Sequence, residues 1–174
     1  MRKSFTLIEL IVVIGIIALL SALGVSSYSG FQQTARDSRR KADLEIITNA
    51  LNSYYAANGR FPPSAGWVYS TSGANNWIPG LVPTYIESLP IDPINVVENA
   101  TGGAGPWNAT YANYVYAYGV VSTDGQQYDL NARLENTSDP DRCGVKNYYF
   151  HWNPKQLWCG SYTTQIYEVS PNSF

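Results

Sequence analysis

The chain has 174 residues, enough for one ordinary domain with an appendage but not for two large ones. Only 14% of its residues are charged, and 11 Lys+Arg against 13 Asp+Glu leave a formal net charge of −2, which excludes a generally basic nucleic-acid binder. A single histidine and two cysteines exclude zinc centres built from four cysteines or from two of each, and any Cys–His pair would have to join Cys143 or Cys159 with His151.

The total charge hides an asymmetry. Residues 1–60 carry seven basic side chains (Arg2, Lys3, Arg36, Arg39, Arg40, Lys41, Arg60) and four acidic ones, whereas residues 61–174 carry four basic and nine acidic. All five Trp and eleven of the fourteen Tyr lie beyond residue 60. Two regions with different physics follow.

After a basic start at Arg2-Lys3, the 21 residues Phe5–Val25 contain one charge, Glu9. As a helix they would be about 30 Å long, the thickness of a bilayer's hydrocarbon core. One reading is a secretory signal peptide, with Leu10–Leu20 as the apolar region and Ser21-Ala22-Leu23-Gly24 as the cleavage segment. Two features oppose it. A carboxylate inside the apolar run costs roughly 2.5–3.5 kcal/mol on insertion scales. The helical pattern also continues past the cleavage segment: Leu44, Ile47, Leu51 and Tyr54/Tyr55 recur at spacings of three and four, one amphipathic stripe. Asn58-Gly59 before Pro62-Pro63 is a stop signal. One helix of about 53 residues, near 80 Å long, is predicted over 5–58. The basic cluster at 36–41 reads as a solvated helix face or an intersubunit contact.

The run Arg2-Lys3-Ser4-Phe5-Thr6-Leu7-Ile8-Glu9-Leu10 resembles the class III leader of type IV pilins and type II secretion pseudopilins. Ala35–Leu44, Tyr54-Tyr55 and Asn58-Gly59-Arg60-Phe61-Pro62 are also similar to the major pseudopilins and their pilin relatives. The resemblance implies cleavage by a prepilin peptidase between Ser4 and Phe5, N-methylation of Phe5, and use of Glu9 in an assembly salt bridge to the Phe5 amine of an adjacent subunit. Two positions depart from the pattern: Ser4 stands where the family usually has Gly, and Ser26 where Pro is common. Gly24–Gly30 remains a poor helix former and is expected to be a weak point, each Gly costing about 1 kcal/mol relative to Ala.

The division expected is a leader at 1–4, a transmembrane and filament-core helix at 5–30, an amphipathic half at 31–60 and a head at 61–174. Within the head, 61–110 reads as a long connecting loop and 111–169 as antiparallel strands. Asn113–Val121 alternates Tyr114, Tyr116 and Tyr118, and Ser122-Thr123-Asp124-Gly125 is a hairpin turn before a return strand at Gln127–Leu134. Lys146–Trp152 and Gln156–Cys159 suggest a second hairpin, with Tyr162–Val169 as a last strand. The fold class is α+β, a long helix on a small sheet, as in pilins.

In an exported protein Cys143 and Cys159 are expected to form a disulfide, worth roughly 3 kcal/mol for a loop of about 15 residues. The stretch Asn136–Asp141 reads as an Asx-type turn, with calcium ligation the lesser alternative. No cofactor and no metal site are assigned, and the acidic head opposes nonspecific DNA binding.

The expected function is that of a structural subunit of a type IV pilus or pseudopilus, not an enzyme. The resemblance implies a homo-oligomeric helical filament built by an inner-membrane assembly platform and its ATPase. The chain would be single-pass in the cytoplasmic membrane before assembly, then part of an extracellular or envelope-spanning filament. The competing reading is a secreted, aromatic-rich glycan-binding module exported by a Sec signal.

Overall fold

The computed structural model describes residues 6–73, 75–101, 103–108, 110–120, 124–142 and 166–169, without the side chains of 22–28. A single helix, α1 (Leu7–Asn58), runs for 52 residues, about 78 Å at 1.5 Å per residue. Gly59 ends it in the left-handed conformation (φ 69°, ψ 7°), its N–H donating to the Tyr55 carbonyl at 2.8 Å. The predicted length and stop are both found.

Among the described residues four strands follow: β1 (Val68–Tyr69), β2 (Ala117–Val120), β3 (Tyr128–Arg133) and β4 (Ile166–Val169). They form one antiparallel sheet in chain order. The register pairs Tyr118 with Leu130 and Ala132 with Tyr167. β2 is shorter than the run 113–121 expected from tyrosine alternation. Tyr114 instead makes an isolated bridge to Val96, and Ser70 takes both backbone bonds of Tyr116. The connecting segment 61–110 is not wholly loop, since it contributes β1 to the sheet edge. The second hairpin expected at 146–159 lies outside the described residues.

Period-two alternation sorts the sheet into two buried faces. Tyr118, Tyr128, Leu130 and Ala132 pack with Leu44, Ile47 and Leu51 of α1, as the stripe predicted. The segment after the helix closes this core with Phe61, Trp77, Ile78, Leu81 and Leu89. On the far side Trp107, Ala117 and Ile166 form a smaller cluster with Trp67 and Tyr69, the rings of Trp67 and Trp107 lying 4.5 Å apart. Among the described residues the head therefore grips only the second half of α1.

Candidate functional site

The free half of α1 is apolar and uncovered. Every large hydrophobic residue described from Leu7 to Leu20 is at least 47% exposed, and Phe31 is 72% exposed. Solvent-exposed apolar patches on soluble monomers rarely exceed a few hundred Å², so a surface of this extent marks contact with a membrane or another chain. Among the described residues no helix is long and apolar enough to cross a membrane, which leaves the single-pass expectation for 5–30 unconfirmed.

Glu9 sits in the first turn of this half. Its carboxylate accepts from the Thr6 backbone N–H and from the Thr6 hydroxyl, each at 2.8 Å, while Thr6 Oγ1 accepts from the Glu9 N–H at 3.3 Å. This is a capping box, which satisfies amides that the helix start leaves without partners. Thr6-x-x-Glu9 is the sequence signature of that motif, a second role for Glu9 beside the assembly role expected of it. The lone carboxylate of the apolar run thus also has a partner within its own chain. Ser4, Phe5, Cys143, Cys159 and His151 lie outside the described residues, so the cleavage site and the disulfide remain expectations.

A charged clasp fixes the head to the other half of α1. Arg40 is fully buried and donates through Nε and Nη2 to Asp92 at 2.7 and 3.0 Å. Its Nη1 donates to Asp37 at 2.8 Å and to Glu135 at 2.7 Å. Arg36 binds Glu135 in a fork, at 2.7 and 2.5 Å. Asp37 accepts from the backbone N–H groups of Glu135 and Asn136. Lys41 closes the lower edge on Asp139 at 2.7 Å and Asp141 at 2.6 Å. The Tyr114 ring covers the Arg40 guanidinium at 5.0 Å.

Burial alone would raise the Glu135 carboxyl, but Arg36 and Arg40 overcome it and hold the group below the ordinary glutamate range. Asp139 behaves likewise: burial raises it, and Lys41 together with the Asp141 N–H brings it below the usual aspartate value. Asp43 goes the other way. Burial lifts it, and the 2.8 Å bond from the Tyr116 hydroxyl offsets that only in part. The cluster at 36–41 is therefore not a solvated face, because Arg40 points inward and Arg36 and Lys41 pair with the head. Asp37 and Arg40 continue the stripe of Leu44, Ile47 and Leu51 at spacings of three and four. A hydropathy reading began that stripe at Leu44 because its upper two positions are charged.

The 136–141 stretch is a set of Asx turns. Asn136 Oδ1 accepts from the Ser138 N–H and Asp139 Oδ1 from the Asp141 N–H, both at 2.9 Å. Its two carboxylates serve Lys41. Among the described residues no group of three His, Cys, Asp or Glu side chains is placed to hold a metal ion.

A long helix, bare and apolar in one half and locked into a small antiparallel sheet in the other, is a pilin-like α+β arrangement. The family of the prokaryotic N-terminal methylation motif matches residues 1–25. Over 60 residues the chain is 32% identical to the type IV major pilin protein PilA of Myxococcus xanthus, covering 34% of this chain and 27% of that protein. Over 91 residues it is 34% identical to the prepilin peptidase-dependent protein D of Escherichia coli, covering 52% and 58%. Over 97 residues it is 32% identical to the type II secretion system core protein G of Escherichia coli, covering 53% and 66%. The chain thus spans between about a quarter and two thirds of the length of these relatives. No solved structure matches it. The motif, the relatives and the helix-on-sheet architecture together support a type IV pilin or pseudopilin. Proteins of these families are structural subunits, not enzymes.

Proposed function

We propose that the chain is made as a precursor, cut by a prepilin peptidase between Ser4 and Phe5, methylated on the Phe5 amine, and polymerised through the N-terminal half of α1 into a pilus or pseudopilus. One observation carries the reading. Leu7–Leu20 presents an uncovered apolar surface on a helix whose other half is pinned to the head, so burial of that surface has to come from lipid first and from other subunits afterwards. Residues 5–30 hold the precursor in the cytoplasmic membrane, and an inner-membrane platform with its ATPase extracts it. In the filament the Glu9 carboxylate turns from its own cap to the Phe5 amine of a neighbour, setting the register between subunits. In a low-dielectric core a displaced carboxylate without a partner is strongly unfavourable, so the pairing selects one axial offset. The filament is a homo-oligomer with the acidic heads outermost.

The test is the mass and N-terminal sequence of the mature protein. A chain beginning at Phe5 with one added methyl group supports the proposal. A chain beginning near residues 24–27 overturns it in favour of a secreted aromatic-rich module exported by a Sec signal.

A further inference from the structure

Asn58 and Gly59 end α1, and theirs is the chain's single Asn-Gly pair. Asparagine is chemically least durable before glycine, because no Cβ on the next residue hinders its backbone nitrogen from reaching the asparagine Cγ. Attack joins the Gly59 nitrogen to Asn58 Cγ, and the Nδ2 group leaves as ammonia, taking the Gly59 N–H proton with it. Water then opens the five-membered imide to aspartate or isoaspartate. The reaction needs no other co-reactant.

Both reacting groups are tied down in the folded chain. The Gly59 N–H, which would attack, donates to the Tyr55 carbonyl at 2.8 Å. The Asn58 Nδ2, which would leave, donates to the Tyr54 carbonyl at 2.8 Å and to the Tyr85 hydroxyl at 3.0 Å. The Gln126 side-chain amide holds the Gly59 carbonyl at 2.9 Å. Ring closure also requires Asn58 to leave the helical backbone conformation that it shares with the rest of α1. Tyr85 is itself fixed, its ring 5.2 Å from that of Tyr54 and its N–H donating to the Leu81 carbonyl at 2.9 Å. Against these ties, Asn58 and Gly59 are both exposed, and a Cβ built on Gly59 meets no atom within 4 Å. The last turn carries no basic side chain to steady its carbonyls. Such a helix end opens locally while the core stays closed.

We propose that Asn58 is a site of non-enzymatic modification, converted to aspartate or isoaspartate when the end of α1 opens, and that Tyr85 guards it through the bond from Nδ2. The rate is the intrinsic rate of the Asn-Gly pair multiplied by the open fraction. The product weakens its own guard. A carboxylate at 58 has no N–H to give the Tyr54 carbonyl, and it adds negative charge at the negative end of the helix dipole. Isoaspartate also inserts a methylene into the backbone just before the Gly59 cap. Either product favours the open end, so the change loosens α1 from the segment that carries Tyr85 and accumulates over the life of the chain.

The experiment incubates the full mature chain in detergent micelles at mildly alkaline pH, folded and in urea. Peptide mass spectrometry with electron-transfer fragmentation follows every asparagine and separates aspartate from isoaspartate. In urea Asn58 should convert first; in the folded chain it should still be the first to convert, at least about tenfold more slowly. Tyr85→Phe keeps the ring and removes the hydroxyl, and should raise the folded rate about two- to fivefold with the urea rate unchanged. If Tyr85→Phe does not fold, hydrogen exchange of the wild-type Gly59 amide serves instead. Its open fraction should equal the ratio of the folded to the unfolded conversion rate. The proposal is overturned if Asn58 is not the first to convert in urea, if folded and unfolded rates are equal, or if another asparagine converts first in the folded chain. A folded Tyr85→Phe that converts at the wild-type rate, or an open fraction unrelated to the rate ratio, also overturns it.

Discussion

Arg40 and Asp92, 52 residues apart in the chain, meet in a two-pronged ion pair with both side chains inaccessible to solvent. Two donors on one rigid guanidinium fix distance and angle together, so this contact sets how the helix lies against the connecting segment. Arg40→Met leaves Asp37, Asp92 and Glu135 buried around a missing cation, and should lower stability by about 3–5 kcal/mol. Urea unfolding of the purified chain measures it. The double variant Arg40→Met/Asp92→Leu should lose clearly less than the sum of the two single changes, because each removes the partner that the other strands.

The clasp also predicts an acid limb. Glu135 and Asp139 have folded-state values below their ordinary ones, so each contributes stability that is present above its unfolded value, roughly 4, and is lost as pH falls through the lowered folded value. Tm should be steady from pH 7 to 5 with respect to these groups and should fall steeply below about 4. Glu135→Gln should flatten that limb, while lowering stability at pH 7.

Gly59 offers a test of backbone conformation alone. Its φ of 69° suits glycine, and a Cβ placed there meets no atom within 4 Å. Gly59→Ala should therefore cost about 1 kcal/mol through strain and not through a clash. Gly30→Ala, within α1 and equally open, should act with the opposite sign and gain about 1 kcal/mol of helix stability. Paired thermal melts distinguish the two.

Thr6 should matter locally more than globally. Thr6→Ala removes an N-cap worth about 1 kcal/mol and takes the hydroxyl partner from Glu9, leaving only the bond from the backbone N–H of residue 6. Hydrogen exchange of the first-turn amides should accelerate about fivefold, with the amides of Leu44, Ile47 and Leu51 in the core unchanged.

The helix was legible because its signals agree: an apolar run, a stripe at three and four, and Asn58-Gly59, while the capping box at Thr6 and Glu9 came to light only in the structure. Leu44, Ile47 and Leu51 announced the buried face by hydropathy. Asp37 and Arg40 lie on the same face and were missed, since buried charge reads as surface until its partners are known, and those partners are about 50 to 100 residues away. The tyrosine alternation placed Tyr116 and Tyr118 in the core, but it could not foresee that Ser70 would replace strand pairing at Tyr116. β1 was hidden because two residues show no period. The polar outer layer was hidden for another reason: Asp129 and Asn131 alternate with Leu130 and Ala132 as they would on a solvated face, and only the tertiary cover buries them.

The bare half of α1 as the assembly surface, with Glu9 as its register, is tested most directly by comparing wild type with Glu9→Ala. Membrane and sheared-surface fractions are measured for both, with electron microscopy of the sheared material. Glu9→Ala is predicted to stay at wild-type level in the membrane and to yield no filaments. Filaments of the variant at normal yield would contradict it.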